Sequence, residues 1–371
     1  MPLTVLIVPD KFKGSLTAQE AAEAIARGWR KSRRADTLEL LPMSDGGDGF
    51  GEIISGMLDT EVQTVETVDA AHRPCSAQWW WDAKSKTAII EAARINGLAK
   101  LPPGKFHPFD LDTFGLGAAI RAASAKGAKR CLIGIGGSAT NDAGFGLARA
   151  LGWEFDDAEG NEIKSWSQLH LLEKFFAPKK KHWFEETTVA VDVQNVLLGT
   201  QGCTRVYGPQ KGLTKADFAH AEACLRRLAM VSKRDLTRDY ASEPGAGAAG
   251  GLGFGLRCFL GARLQAGFDV FTRHAKLGSR IHAADVIITG EGAIDKSTLM
   301  GKGVGQIAQW CRKLKQPCIG LAGMVANQKQ MNGCFTQTHG MTDITTEEKA
   351  KAKPAEWLGK LAEEVARGWV E

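Results

Sequence analysis

Short aliphatic runs alternate with amphipathic segments along most of the chain. The first run, Leu3 to Val8, is continuously apolar, which is typical of a strand buried on both faces. A capping box of Thr17 and Glu20 then predicts the start of an amphipathic helix. This alternation favours an α/β fold built on parallel sheet. Further buried strands are predicted at 38–41, 130–135, 189–193, 285–290 and 317–323.

Two regions predict strands of another kind. Residues 62–68 alternate apolar and polar positions, which is typical of a half-exposed strand. The tryptophan run 79–81 and the run 87–90 are bounded by turn residues and predict a strand pair. The strand–helix pattern returns near Asp285, and residues 354–370 predict a final amphipathic helix.

Composition and charge narrow the class of protein. With 371 residues, 44% of them hydrophobic and 24% charged, the chain is long enough for two domains with a sizeable core. The net charge of +5 is modest, and basic runs such as 179–181 lack interleaved aromatics, which argues against nucleic-acid binding. No apolar stretch has the roughly 18 residues of a membrane-spanning helix, and no signal-peptide pattern opens the chain. We therefore expect a cytoplasmic protein without nucleic-acid or membrane partners.

Cysteine and histidine positions offer no evident metal site. The eight cysteines lie between Cys75 and Cys334; none forms a CxxC pair, and we find none at a zinc-ligand spacing with histidine. His72, His107 and His282 lie near predicted loops without forming a triad. The sequence therefore predicts reduced, mostly buried cysteines and structural histidines.

Five loops that combine glycine with carboxylate, amide or lysine side chains each follow a predicted strand. In open α/β sheets, ligands bind outside the carboxyl ends of the strands, so these loops predict a ligand site. The loops are DKFKGS (10–15), SDGGDG (44–49), GGSATNDAG (136–144), VDVQN with the downstream PQKG (191–212), and GEGAID…GK (290–302).

The same loops contain the groups that phosphate binding needs, namely backbone N–H groups, lysines, and carboxylates that suit magnesium. However, the chain has no GxxxxGK[ST] phosphate loop. Ala139 stands where a dinucleotide fingerprint carries its third glycine. The residues alone therefore predict an α/β enzyme for a small, anionic ligand, and they leave both a kinase and a dehydrogenase open.

A series of motifs resembles the signature blocks of the bacterial glycerate kinase family (glycerate kinase type-1), in the family's order from residue 8 to about residue 303. The blocks are VPDKFKGSLTAQEAA, PMSDGGDGF, GIGGSATNDAG, GPQKG, PGAGAAGGLGFG and ITGEGAID…GK. The resemblance implies transfer of the γ-phosphoryl group of ATP to D-glycerate, giving 2-phosphoglycerate. It also implies ATP and magnesium (Mg²⁺) as cofactors, and we expect a monomer or a homodimer.

The same resemblance implies a fold of two α/β domains. A Rossmann/flavodoxin-like parallel-sheet domain, residues 1–74 and 281–371, would contain a second α/β domain, residues 75–280, inserted into it. The return of the strand–helix pattern near residue 285 agrees with this arrangement. The active site is then expected in the cleft between the domains.

Phosphoryl transfer relies mainly on positioning and electrostatics, and the loop residues are assigned on that basis. We expect Lys11, as a catalytic residue, and Lys13 to neutralise the substrate carboxylate or the transferring phosphoryl group. Asp45 and Asp192 are assigned as catalytic carboxylates, either as general base or as Mg²⁺ ligands. A carboxylate that ends an aliphatic strand, as Asp192 does, is costly without a partner. Asp48 has two interpretations of equal weight: a carboxylate that acts as general base or Mg²⁺ ligand, or the N-cap of the helix that follows. The remaining candidates for binding substrate or phosphate are Ser15, Gly46, Gly47, Gly136, Gly137, Ser138, Thr140, Asn141, Gln210, Lys211, Gly245, Gly247, Glu291, Asp295 and Lys302.

Several positions depart from the pattern expected of the family. Ala143 stands in place of a glycine, Asn96 in place of a serine, and Ser297 in place of a glutamine in the GEGxxD block. Val196 and Val304 stand in place of prolines. A lost glutamine amide would change which polar ligand fits, so a kinase of a related hydroxy or sugar acid is an alternative. An oxidoreductase and a metabolite-binding protein on the same scaffold are further alternatives.

Overall fold

The computed structural model describes residues 1–300, 303–326 and 333–369. The strands, in chain order, are β1 (Thr4–Pro9), β2 (Thr37–Leu40), β3 (Glu61–Val68), β4 (Pro74–Asp82), β5 (Thr87–Glu91), β6 (Arg130–Gly134), β7 (Glu154–Asp156), β8 (Lys174–Phe176), β9 (Glu186–Val191), β10 (Arg263–Ala266), β11 (Val286–Ile294), β12 (Cys318–Val325) and β13 (Gln337–Gly340). The helices are α1 (Ala18–Ser32), α2 (Phe50–Ser55), α3 (Ala93–Asn96), α4 (Leu116–Ala125), α5 (Phe145–Ala150), α6 (Cys203–Lys211), α7 (Phe218–Leu236), α8 (Ala248–Leu260), α9 (Gly267–Ala275), α10 (Leu277–Ala283) and α11 (Gly303–Leu314), followed by helices at Glu347–Ala352 and Pro354–Gly368.

The chain divides into two compact units, one of which is discontinuous in sequence. Unit 1 comprises Met1–Asp45 and Phe268–Glu371, and unit 2 comprises Gly46–Gly267. Each unit is organised around its own sheet. The α/β class predicted from the sequence is therefore confirmed.

Unit 1 is built on a five-stranded sheet in the order β13-β12-β11-β1-β2. Every neighbouring pair in this sheet is parallel. Residues Val5 to Val8 of β1 are completely buried, as predicted for an aliphatic strand covered on both faces. Because all the strands run the same way, the loops that follow them leave from one edge of the sheet.

Helix α1 begins at the capping box predicted from the sequence. The Thr17 Oγ1 accepts the Glu20 N–H at 3.2 Å, and a Glu20 carboxylate oxygen accepts the Thr17 N–H at 2.8 Å. The buried face of the helix, which includes Ile25 and Trp29, packs in the hydrophobic core of unit 1.

We expect Thr17→Ala to lower the free energy of unfolding of the protein by about 1 kcal/mol, because the Thr17 hydroxyl no longer accepts the Glu20 N–H or donates to the Glu20 carboxylate. Urea unfolding measures this change. Thr346→Ala is the matched control: Thr346 also accepts an N–H, from Lys349 at 3.4 Å, but without a reciprocal carboxylate. An equal loss for both variants would contradict the assignment of a stabilising box at Thr17.

Unit 2 contains a six-stranded mixed sheet in the order β10-β9-β6-β5-β4-β3. Strands β10, β9, β6 and β5 are parallel, whereas β4 and β3 add as antiparallel strands. The antiparallel pairing of β4 with β5 confirms the strand pair predicted from the tryptophan run. Strand β3 lies at the edge and is partly exposed, as its alternating pattern predicted.

The two units divide at different residues from the domains expected from the sequence. Unit 2 starts at Gly46 and ends at Gly267, whereas 75 and 280 were expected. The reason is long-range strand pairing: Val62 of β3 lies opposite Trp80 of β4, so β3 belongs to the sheet of unit 2. Helices α9 and α10 belong to unit 1.

None of the helices in the described part of the chain is both long enough and apolar enough to cross a membrane. Helix α7, for example, spans 19 residues but carries charged side chains in its middle and at its end.

Candidate active site

Backbone hydrogen bonds fix the loops at the carboxyl edge of the unit 1 sheet. The Asp10 N–H donates to the Gly290 carbonyl oxygen at 2.8 Å, and the Met43 N–H donates to the Pro9 carbonyl oxygen at 2.9 Å. The loop after β1 is therefore held beside the segment that follows β2 and beside the GEGAID segment of β11. Three of the five sequence motifs begin at this edge.

Three carboxylates, Asp10, Asp45 and Glu291, come together in these segments, and we call them the acid cluster. Burial, together with the negative charges of Asp45 and Glu291, raises the pKa of Asp10 to about 7. The Lys11 N–H donates to Asp10 Oδ1 at 2.7 Å and partly offsets this rise. Sequence reasoning missed Asp10, although it directly follows a buried strand. The cluster concentrates negative charge that a bound cation would offset.

The GEGAID segment holds its carboxylates through two hydroxyl groups. The Thr298 hydroxyl donates to Glu291 Oε1 at 2.7 Å and accepts the Asp295 N–H at 3.1 Å. The Ser297 N–H and hydroxyl both donate to Asp295 Oδ1, at 2.7 and 2.5 Å. Ser297 therefore orients Asp295. The predicted residue Lys302 lies outside the described residues.

The DKFKGS loop presents its predicted residues to different extents. Lys11 is half-buried, whereas Lys13 and Ser15 are exposed. The Ser15 hydroxyl donates to the Phe12 carbonyl oxygen at 2.9 Å and closes the turn. In this structure Ser15 therefore shapes the loop, and the lysines supply its charge.

In unit 2, the GGSATND loop joins β6 to α5 and touches Gly46 and Gly47, the SDGGDG residues that belong to this unit. The Gly136 N–H donates to the Gly46 carbonyl oxygen at 3.1 Å, and a Cβ on Gly136 would lie 2.5 Å from the Gly47 Cα. Only glycine at this position permits such a close approach. The Ser138 and Thr140 hydroxyls are 3.0 Å apart, and the Thr140 N–H donates to Ser138 Oγ at 3.1 Å. Ser138 and Thr140 are thus buried and bonded to each other, whereas the predicted Gly137 is exposed.

Asn141 and Asp142 have different roles within that loop. Asn141 donates from Nδ2 to Thr204 Oγ1 at 3.1 Å, while its buried Oδ1 accepts no hydrogen bond from the described residues. Asp142 Oδ2 accepts the Thr113 hydroxyl at 2.7 Å and the Gly146 N–H at 2.9 Å. Burial and nearby Asp112 raise the pKa of Asp142. Asp142 therefore fixes the start of α5, whereas the Asn141 amide oxygen is a buried acceptor without a partner among the described residues.

Lys211, predicted from the GPQKG block, is a buried cation beneath the GGSATND loop. Its Nζ donates to the Thr140 carbonyl oxygen at 2.6 Å. Burial lowers the pKa of Lys211 to about 8, although Cys203, Asp142 and Asp192 act in the opposite direction. A positive charge held in place by a backbone carbonyl is suited to binding an anionic group.

The structure corrects the physical argument made for Asp192. Strand β9 ends at Val191, one residue earlier, and Asp192 is exposed. The expected cost of burying its carboxylate is therefore absent. Its negative charge nevertheless acts on Lys211 and helps, after burial, to raise the pKa of Tyr207 to about 12. Asp192 thus lies in the neighbourhood of Lys211.

The glycine-rich segment before α8 packs against the same loop. The Gly247 N–H donates to the Asn195 carbonyl oxygen at 2.8 Å, and Gly245 is buried with φ +85°. Residues 249–251 all have left-handed backbone conformations. A Cβ on Gly250 would lie 1.9 Å from the Thr140 carbonyl oxygen and 2.8 Å from Lys211 Nζ. The predicted residue Gln210 is exposed.

The start of α2 differs from the sequence expectation in two ways. Gly49 occupies the N-cap position without a side-chain cap, so an N-cap role for Asp48 is wrong. Asp48 instead lies against Gly137, where a Cβ would be 2.1 Å from its Oδ1. The N–H groups of Gly49 and Gly51 donate to Glu91 at 3.0 and 2.9 Å. Sequence reasoning missed Glu91, although it ends the aliphatic strand TAIIE in the same way as the predicted carboxylates.

Comparisons with known proteins agree with this set of motif loops on α/β units. The model of the "Glycerate kinase family" matches residues 5–370. The chain is 36% identical to the glycerate kinase of Halalkalibacterium halodurans over 86% of this chain and 85% of the relative. It is also 36% identical to the glycerate 2-kinase of Escherichia coli K12, over 88% and 86% of the two chains. A crystal structure of a candidate glycerate kinase 2 from Salmonella typhimurium LT2 superposes with a TM-score of 0.82, at 33% identity, over 98% and 97%.

These comparisons show a phosphotransferase that acts on an alcohol group. More particularly, the chain belongs to the glycerate kinase family. Membership of a kinase family implies ATP as the co-substrate and a small molecule as the acceptor.

Proposed function

We propose that this protein phosphorylates D-glycerate with ATP and magnesium and that the product is 2-phosphoglycerate. The observation that carries the proposal is the acid cluster, found at a strand-end edge in a chain of a kinase family. In the proposed reaction the 2-hydroxyl oxygen bonds to the γ-phosphorus, and the bond from that phosphorus to ADP breaks. The hydroxyl proton passes to a carboxylate of the protein.

The donor atoms of the acid cluster fit Mg²⁺. Carboxylate oxygens are the ligands this hard cation prefers, and one or two usually suffice beside water and phosphate oxygens. Asp45 is the proposed ligand, with Asp10 and Glu291 adding negative charge nearby. When bound, Mg²⁺ supplies positive charge to the phosphate oxygens. Asp192 remains a proposed catalytic or Mg²⁺-binding residue because it directly follows β9.

The groups of unit 2 are proposed to bind anionic oxygen atoms. The Lys211 ammonium is buried and held by the Thr140 carbonyl, so it needs little reorganisation during the reaction. Ser138, Gly136 and Gly137 belong to the same GGSATND loop as Thr140, and they are proposed to bind anionic oxygen atoms as well. In unit 1, Lys11 and Lys13 are proposed to neutralise the substrate carboxylate or the transferring phosphoryl group.

One observation favours a related acid as a second candidate substrate. Ser297 stands where a glutamine is expected, and its hydroxyl is engaged with Asp295 at 2.5 Å. It therefore offers no long amide to a ligand. A hydroxy or sugar acid with different polar groups is the alternative acceptor on this basis.

The function is tested by measuring ADP release from Mg²⁺-ATP with a panel of hydroxy and sugar acids. We expect D-glycerate to be turned over with the highest kcat/KM, and phosphorus NMR should show a 2-phosphate ester. If another acid of the panel has a higher kcat/KM than D-glycerate, that acid is the acceptor and the glycerate proposal is wrong. Absence of ATP turnover with every acid would contradict the kinase proposal itself.

We expect Asp45→Asn to lower kcat by at least about a hundredfold, because it removes a carboxylate proposed to serve as base or metal ligand. Asp59→Asn is the matched control, since Asp59 is exposed and lies outside the motif loops. Steady-state assays at saturating D-glycerate and ATP, repeated over a range of Mg²⁺ concentrations, measure the effect. Equal kcat for Asp45→Asn and the unaltered protein would rule out this role.

A further inference from the structure

Three side chains able to bind a transition metal meet in unit 2, apart from the motif loops. His170 lies in a 3₁₀ helix at Trp166–Leu171, and His220 and Cys224 lie one turn apart on α7. Cys224 Sγ is 3.8 Å from His170 Nδ1 and 3.8 Å from His220 Nε2. The three ligand atoms all lie within 4.8 Å of one another. From the sequence no cysteine was expected at a zinc-ligand spacing with histidine, whereas the structure brings Cys224 within 3.8 Å of two histidine nitrogens.

The Ser167 carbonyl oxygen supplies a fourth atom to this group. It lies 2.8 Å from His220 Nε2, 3.2 Å from His170 Nδ1 and 3.2 Å from Cys224 Sγ. With Zn–N bonds of about 2.0–2.1 Å and a Zn–S bond of about 2.3 Å, a tetrahedral centre separates nitrogen from sulfur by about 3.5 Å. The two observed sulfur–nitrogen distances, both 3.8 Å, are close to this value.

The two histidine rings are held in place by aromatic packing. Their centroids are 4.9 Å apart in an edge-to-face arrangement, and Phe109 packs edge-on against His220 with centroids 5.3 Å apart. Cys224 is buried, whereas both histidines are exposed. A metal ion therefore has access from solvent to donors whose positions are already fixed.

We infer that His170, His220 and Cys224 form a Zn²⁺ site, with the Ser167 carbonyl oxygen at the fourth vertex. Two imidazoles and the Cys224 thiolate, formed as the thiol releases its proton to solvent on binding the metal, select Zn²⁺ over Mg²⁺, which prefers oxygen ligands. On coordination, each ring keeps its proton on the nitrogen that faces away from the metal. The site is distinct from the acid cluster and independent of the proposed phosphoryl transfer.

Bound Zn²⁺ would join segments that lie 54 residues apart in sequence, because His170 and Cys224 belong to different elements. The ion would thus clamp the 3₁₀ helix to α7. Since the metal binds the folded arrangement, it stabilises the folded state by mass action. Its effect should therefore appear as a higher melting temperature and not as a change in kcat.

The experiment is a Co²⁺ titration of the metal-free full-length protein in the presence of excess Mg²⁺, followed by competition with Zn²⁺. We expect one Co²⁺ per chain, with a thiolate-to-cobalt charge-transfer band and the visible bands of a tetrahedral ion. Zn²⁺ should abolish the bands and raise the melting temperature. A titration without a thiolate band would overturn the inference.

The variants Cys224→Ser, His170→Gln and His220→Gln identify the ligands. Cys224→Ser should lose the charge-transfer band, and each variant should lower Zn²⁺ affinity by more than about a hundredfold. The matched controls are Cys75→Ser and His282→Ala, which replace the same residue types elsewhere and should leave affinity unchanged. Replacing the buried Cys224 with serine can impair folding. His220→Gln then still tests the site, because His220 is exposed. Wild-type Zn²⁺ affinity in His220→Gln would contradict the site.

Discussion

Replacing Lys211 with methionine is expected to lower kcat/KM for D-glycerate phosphorylation by about a hundredfold to a thousandfold, the usual effect of losing one preorganised charge. The side chain is buried and donates to the Thr140 carbonyl oxygen at 2.6 Å, so water cannot replace its ammonium easily. Lys215→Met, four residues further along and exposed, should leave kcat/KM unchanged.

The pH dependence of the same variant separates the charge from the packing of Lys211. Burial lowers the pKa from the usual 10.5 to about 8, so the ammonium loses its proton as the pH rises through about 8. Wild-type kcat/KM should therefore fall above pH 8, and the residual activity of Lys211→Met should lack this step. Profiles of the two proteins with the same inflection would exclude a charge-based role for Lys211.

Stability should change in the opposite direction over the same pH range. Between about 8 and 10.5 the unfolded chain binds more protons at this residue than the folded protein does. The free energy of unfolding of the wild type should consequently rise with pH, relative to Lys211→Met, throughout this window. Urea unfolding of both proteins at several pH values measures the difference.

Gly250→Ala is expected to lower the free energy of unfolding by about 3 kcal/mol or more, through backbone strain and steric overlap. Gly250 has φ +69°, and an added Cβ would lie 1.9 Å from the Thr140 carbonyl oxygen. The overlap involves backbone, which cannot move aside without shifting the GGSATND loop. Kinase activity should fall as well, because the same Cβ would lie 2.8 Å from Lys211 Nζ.

Gly261→Ala offers a control with nearly the same backbone strain. Gly261 has φ +68°, but an added Cβ would meet no atom within 4 Å. The free energy of unfolding of this variant should fall only by the cost of the left-handed backbone conformation, about 1 kcal/mol. Similar losses for the two variants in urea unfolding would show that close packing at Gly250 contributes nothing.

Much of the fold was predictable because its signals are local. The continuous aliphatic run of β1 and the capping box at Thr17 each lie within a few residues, and both were confirmed. The residues at which the two units divide were harder to predict from the sequence, because they depend on pairing between strands. Strand β3 belongs to unit 2 through its register with β4, which no local pattern specifies.

The candidate site residues were also proposed from local signals, and their roles stay a prediction. Polar residues after aliphatic strands identified Lys11, Asp45 and Glu291, and the family motifs added Lys211. The contact between Lys211 and Thr140 could be found only from the structure, because the two residues lie 71 positions apart in sequence. The grouping of His170 with His220 and Cys224 escaped notice because His170 is separated from α7 by a long stretch of chain, although His220 and Cys224 have helical spacing.

The insertion of unit 2 also has a consequence for synthesis. In the sheet of unit 1, β1 pairs with β2 on one edge and with β11 on the other, where Val5 lies opposite Val286, so this second edge must await a partner made 281 residues later. At about 5–20 residues per second, this delay is roughly 14–56 s. Unit 2 is complete before that partner emerges from the ribosome and is expected to fold first. The apolar amino-terminal segment would therefore be the part of the nascent chain most in need of a chaperone.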